Sequence, residues 1–93
     1  MLVVKGKLMS QAENVERAIW LIHSRGPLSS TEIGETLFGG VRVRQAYARP
    51  GGKVCHAAKR LGQVEQYFDN FYNKFLWRLT ADGRKAAKQM QSE

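Results

Sequence analysis

The sequence predicts an α+β fold in which a three-helix core is followed by a C-terminal β-hairpin and a final helix. Three observations predict it. Two stretches between Ser10 and Phe38 carry apolar residues at helical spacing, each introduced by a Ser-x-x-Glu box. Residues 64–79 switch to two short runs of aromatic and branched residues around a polar tip. Thr80 then opens a Lys- and Ala-rich stretch with strong helical preference. The chain has 93 residues. That makes one domain, burying roughly 60 to 65% of its unfolded surface. Residues 1–9 read as an N-terminal arm and 89–93 as a fraying tail.

Taken in order, Ser10 and Glu13 can satisfy each other's orphan amides at a helix start, so the first helix is expected over residues 11–25. Val15, Ala18, Ile19 and Ile22 share one face, widened by Trp20 and Leu21, until Gly26-Pro27 stops the helix. His23 sits in the last turn, where a cation favours the helix dipole. Ser29 and Glu32 repeat the box, and Ile33, Leu37 and Phe38 give a short second helix that Gly39-Gly40 ends. From Gly39 to Gly52 the chain reads as a long loop, and Arg49-Pro50 predicts extended backbone before Gly51.

A third helix is expected from Lys53 to Gln63, with Val54, Ala57, Ala58 and Leu61 on its apolar face. His56, Lys59, Arg60 and Gln63 fall roughly opposite, with Lys53 nearby. The hairpin strands are expected at 64–68 and 75–79, and the final helix from Ala81 to about Met90. Tyr67, Phe68, Phe71, Phe75 and Trp77 are explained by strand spacing and read as core or strand-pair residues.

The formal net charge is +7, and nearly all of it lies between Thr36 and Val64. That window holds Arg42, Arg44, Arg49, Lys53, Lys59 and Arg60 and no acid. Residues 1–35 balance four basic residues against four acidic ones, and residues 65–93 set five against four. Charge gathered this way costs self-repulsion and is regained by releasing counterions from a phosphate backbone. The loop arginines, with Gln45 and Tyr47, are expected to bond phosphates or base edges.

The stretch Ala58-Lys59-Arg60-Leu61-Gly62-Gln63-Val64-Glu65 looks like the end of a recognition helix entering a wing strand. Trp77-Arg78-Leu79-Thr80-Ala81-Asp82-Gly83-Arg84 looks like a strand-to-helix junction with an aromatic-x-Leu-Thr-x-x-Gly-Arg pattern. With the element order, these resemble the winged helix-turn-helix family of DNA-binding transcription regulators, over about Ser10 to Lys88. The resemblance implies a small bacterial or phage regulator that binds double-stranded DNA with its third helix in the major groove. It implies His56, Lys59 and Arg60 as groove-facing, and Lys53, Arg42, Arg44 and Arg49 as phosphate contacts. A phosphate is expected at a helix start near Gly51-Gly52, and Asn70, Tyr72, Asn73 and Lys74 at the wing tip are expected to reach the minor groove or its flanks. The Gly39 to Gly52 connection is longer than the family's usual turn.

An enzyme is not expected. The chain has no phosphate loop ending in Gly-Lys-Ser or Gly-Lys-Thr, no paired carboxylates placed for a cleft and no assembled nucleophile and base. Cys55 and His56, adjacent on a helix, point about 100 degrees apart. One cysteine allows no internal disulfide, and no Cys/His set has zinc spacing. No cofactor, small-molecule substrate or membrane partner is expected, and the expected compartment is the cytoplasm. A homodimer on a two-fold site would join through the first and last helices, with Trp20 and the Ala86-Ala87 face as candidates. The competing expectation is an architectural or protein-binding winged helix; RNA comes third, lacking the usual motifs.

Overall fold

A computed structural model of the chain describes residues 10–39 and 44–92. The fold is α+β. Helix α1 spans Gln11–Arg25 and α2 Ser30–Phe38; a 3-10 turn at Arg44–Tyr47 leads into α3, Ala48–Arg60. Strands β1 (Val64–Asp69) and β2 (Lys74–Leu79) form an antiparallel hairpin, and α4 runs from Ala81 to Ser92. Residues 1–9, the expected arm, lie outside the described residues.

Both Ser-x-x-Glu boxes close as expected. Ser10 Oγ accepts the Glu13 amide at 3.1 Å while the Ser10 amide donates to Glu13 Oε1 at 2.9 Å. Ser29 and Glu32 repeat this at 3.2 and 2.8 Å. Gly26, at φ 89, ends α1 with its amide on the Ile22 carbonyl at 2.8 Å; an L side chain rarely adopts that φ, which is why glycine stands there. Thr80 Oγ1 accepts the Gly83 amide at 3.1 Å and caps α4. That helix continues to Ser92, so it includes residues 89–92 of the expected tail.

The long loop expected before the third helix is shorter than its sequence suggested. Residues 44–47 form the 3-10 turn and α3 begins at Ala48, so Arg49, Pro50, Gly51 and Gly52 are helical. Pro50 is the third residue of α3, in the first turn, where its missing amide hydrogen removes no intrahelical bond. Gly51 is a contact residue. A Cβ there would overlap the Ser30 carbonyl oxygen, and one at Gly34 would overlap that of Tyr47, so the two glycines bring α2 and the start of α3 to backbone distance. Tyr47 is buried in this crossing, which removes it from the expected polar contacts.

At its other end α3 stops at Arg60, short of Gln63. Gly62, at φ 76, turns the chain, its amide bonding the Lys59 carbonyl at 2.8 Å. Leu61, at the helix end, keeps a helical backbone yet is 62% exposed, while Cys55 takes its place with Val54 and Ala58 on the buried face. Around them lie Val15, Ala18, Ile19 and Ile22 from α1, Ile33 from α2, Val64 and Trp77 from the hairpin, and Ala87 from α4.

Trp77 ties these layers together. Its backbone pairs with Leu28, amide to carbonyl at 2.7 Å and the reverse at 3.2 Å, so the chain between α1 and α2 lies against β2 like a one-residue third strand. Its indole N–H donates to Ser30 Oγ at 2.8 Å, satisfying the polar atom of a fully buried ring. The hairpin register sets Val64 opposite Leu79, Gln66 opposite Trp77 and Phe68 opposite Phe75. Alternation therefore places Phe68 and Phe75 on the Trp77 face, but beyond the core. Among the described residues no helix is long and apolar enough to cross a membrane.

Candidate functional site

Starting α3 at Ala48 changes which residues share its outer face. Arg49, Lys53, His56 and Arg60 recur at intervals of four, three and four, the spacing of one helical stripe. All four are exposed, and Lys59 flanks them. They line one side of an open cleft of about 600 Å³ with Ala48, Gly52 and Gln11 of α1. Gln11 Nε2 donates to the Lys53 carbonyl at 3.5 Å, holding the start of α1 beside this face.

The sequence expectation assigned Arg49 to a loop and Gln63 to the helix. The structure does the reverse, placing Arg49 in the stripe and Gln63 beyond the helix end, where its carbonyl accepts the Thr80 amide at 3.0 Å. The interval from Arg49 to Lys53 was a readable signal, masked by the Pro-Gly-Gly between them. Arg42 and the side chain of Arg44 lie outside the described residues. The amides of Gly51-Gly52 lie within α3, so no helix start is available there for the expected phosphate.

Electrostatically the stripe is one-signed. Among the described residues no ion pair engages Arg49, Lys53, Lys59 or Arg60; ion pairs elsewhere include Lys74 to Glu32 at 3.8 Å and Arg78 to Glu65 at 2.7 Å. A helix of 13 residues that carries cations and no acid on its wet face gains nothing from intrahelical ion pairs and keeps its attraction for an anion. His56 is also held structurally. Its ring meets Trp77 edge to face with centroids 5.1 Å apart, which fixes its direction relative to the core.

At the hairpin turn, Asn70, Phe71, Tyr72 and Asn73 are exposed. Lys74, expected at the wing tip, is half-buried, pairs with Glu32 of α2 at 3.8 Å and lies 5.8 Å from the Tyr72 ring centre. The aromatic expectation divides. Trp77 is core, Tyr67 is partly covered with the Arg78 guanidinium 4.4 Å over its ring, and Phe68 and Phe75 form the expected cross-strand pair although both are exposed; Phe71, in the turn, is exposed and belongs to neither class. Strand alternation says which face such residues take but not where the core beneath them ends.

Cys55 is buried, and burial pushes its thiol up to about 12. Cys55 faces the core while His56, about 100 degrees around the helix, is exposed, so the two side chains do not face each other. No cluster of three His, Cys, Asp or Glu side chains suited to a metal ion occurs among the described residues. On the far side, Trp20 lines a shallow apolar cleft with Leu21, Leu37 and Met90. Ala87, expected at a dimer face, is instead fully buried in the core. No protein-family model, curated protein or solved structure matches this chain.

Proposed function

We propose that this protein is a winged helix-turn-helix DNA-binding protein, a small cytoplasmic transcription regulator of bacterial or phage type that sets α3 in the major groove of double-stranded DNA. The observation that carries this reading is the exposed, acid-free stripe of Arg49, Lys53, His56 and Arg60 on one helix. B-DNA's major groove, about 12 Å wide, admits a helix of this kind. The α2 and α3 crossing, the Leu28 to Trp77 bridge and the hairpin after α3 support the same layout.

In this reading His56, Lys59 and Arg60 meet base edges near the C-terminal half of α3. Arg49 and Lys53 hold phosphates, as do Arg42 and Arg44. Arginine suits the guanine edge because its guanidinium donates to O6 and N7 together. Asn70, Tyr72 and Asn73 contact the flanking groove; Lys74 joins them only by leaving Glu32, a surface pair worth about 0 to 1 kcal/mol. A second copy would dock through the Trp20 cleft, giving two α3 helices to a two-fold site.

Selection from a randomised duplex pool tests the reading. The expected result is an enriched motif on which Arg60→Ala costs about 1 to 3 kcal/mol and relaxes specificity at one position. Binding with no enriched motif would favour an architectural module. No duplex binding would favour a protein partner.

A further inference from the structure

Phe68, Phe71, Tyr72 and Phe75 are exposed on the outer half of the hairpin as two aromatic pairs, the kind of surface that marks an interaction site. Each pair has a defined geometry. Phe68 and Phe75 meet across the strands with ring centroids 5.1 Å apart and planes at 77°, and Phe71 and Tyr72 meet at 4.8 Å and 88°. Asp69 Oδ1 accepts the Tyr72 amide at 3.0 Å and Asn73 takes a left-handed φ of 57. This turn leaves Phe71 85% exposed. The arm that carries it is anchored by the Lys74 to Glu32 pair and the Trp77 to Leu28 bridge.

Phe68 and Phe75 occupy the sheet face of Trp77, against which His56 of the basic stripe is packed. Cations that can hold a backbone and rings that can hold bases thus stand on consecutive elements, α3 and the hairpin, joined through the contact of His56 with Trp77, the combination that binds unstacked nucleic acid. We propose that the hairpin tip is a stacking site for unpaired nucleobases, with Phe71 as its principal ring and Tyr72 as its support. The inference rests on the DNA reading of α3 and adds a substrate class to it. Stacking a base on an aromatic ring raises affinity by roughly five- to 150-fold. Opening an intact base step costs a comparable factor. The two nearly cancel on a perfect duplex, so the tip's gain is realised where a base is already unpaired.

The test measures Kd by fluorescence anisotropy for a fully paired duplex and for the same duplex carrying one unpaired 2-aminopurine. The expected result is binding of the second roughly five- to 100-fold tighter, with quenching of the 2-aminopurine as it stacks. Phe71→Ala should remove both the preference and the quenching while leaving the paired-duplex Kd unchanged, and Phe71→Trp should retain them. Equal affinity for the two duplexes overturns the stacking site, as does a preference that survives Phe71→Ala combined with Tyr72→Ala. If Arg60→Ala still weakens the paired duplex in that case, the DNA reading of α3 stands alone; binding of neither duplex removes both. Phe71-dependent binding to phosphatidylserine vesicles without any base preference would assign the tip to a lipid surface instead.

Discussion

Cys55 is the side chain whose chemistry is most altered by folding. It lies fully buried on the inner face of α3, and the apolar surroundings favour the neutral thiol. Its pKa rises from the ordinary 9.0 to about 12, so the native protein keeps the proton over a range in which the unfolded chain releases it. The unfolded state then binds fewer protons, and stability falls as pH rises through that window. The slope is roughly 1.4 kcal/mol per pH unit, with the full contribution present below pH 9.0. Urea unfolding of the protein and of Cys55→Ala should give a stability difference that shrinks at about this rate from pH 9.0 upward. A difference constant with pH would mean that the thiol is reached by water. At this scale the sequence was a partial guide: it separated Cys55 from His56 by their helical angle but placed Leu61 in the core. Leu61 lies outside the core although its backbone is still helical, because it stands at the end of α3 beyond the packed residues.

At the scale of elements, the contrast between neighbouring glycines in α3 is the sharpest consequence of the α2 and α3 crossing. A Cβ on Gly51 collides with the Ser30 backbone, which cannot move without shifting α2. A Cβ on Gly52 meets only Ser30 Oγ at 3.8 Å, an ordinary contact. Gly51→Ala is therefore expected to destabilise by about 1 to 3 kcal/mol or more. Gly52→Ala should stabilise by about 0.5 to 1 kcal/mol through helix propensity. Thermal unfolding of the pair checks both signs, and equal effects would place the helix crossing elsewhere. The same residues explain why α3 was the element least legible in the sequence. Arg49-Pro50-Gly51-Gly52 carries loop signals, yet the glycine serves a tertiary approach and the proline sits where a helix tolerates it. Helices α1 and α2 were legible almost to the residue because their caps are local, each closed by side chains three positions apart. The hairpin strands each extend one residue beyond their expected spans. The exposure of Phe68 and Phe75 was hidden because it depends on how far the helices reach beneath the sheet.

For the whole molecule, the decisive feature is segregation of charge. The segments before and after the central window carry little net charge, and four of that window's six cations, Arg49, Lys53, Lys59 and Arg60, stand on one exposed helix. The acid-free window made the charge concentration readable, while the absence of acids brought to α3 from other elements, as Glu32 is brought to Lys74, became visible only in the fold among the described residues. The third dimension added Arg49 to the helical stripe and withdrew Tyr47 into the core and Lys74 into a pair with Glu32. A scaffold of this kind should bind duplex DNA through many weak phosphate contacts, each releasing counterions. The most direct measurement is the duplex Kd across a series of salt concentrations, for the protein and for Arg49→Ala, Lys53→Ala and Arg60→Ala. The account predicts a steep log-log dependence, reduced by about 0.9 for each variant that loses a phosphate contact. A salt-independent Kd, or a slope that none of the three substitutions changes, would contradict it.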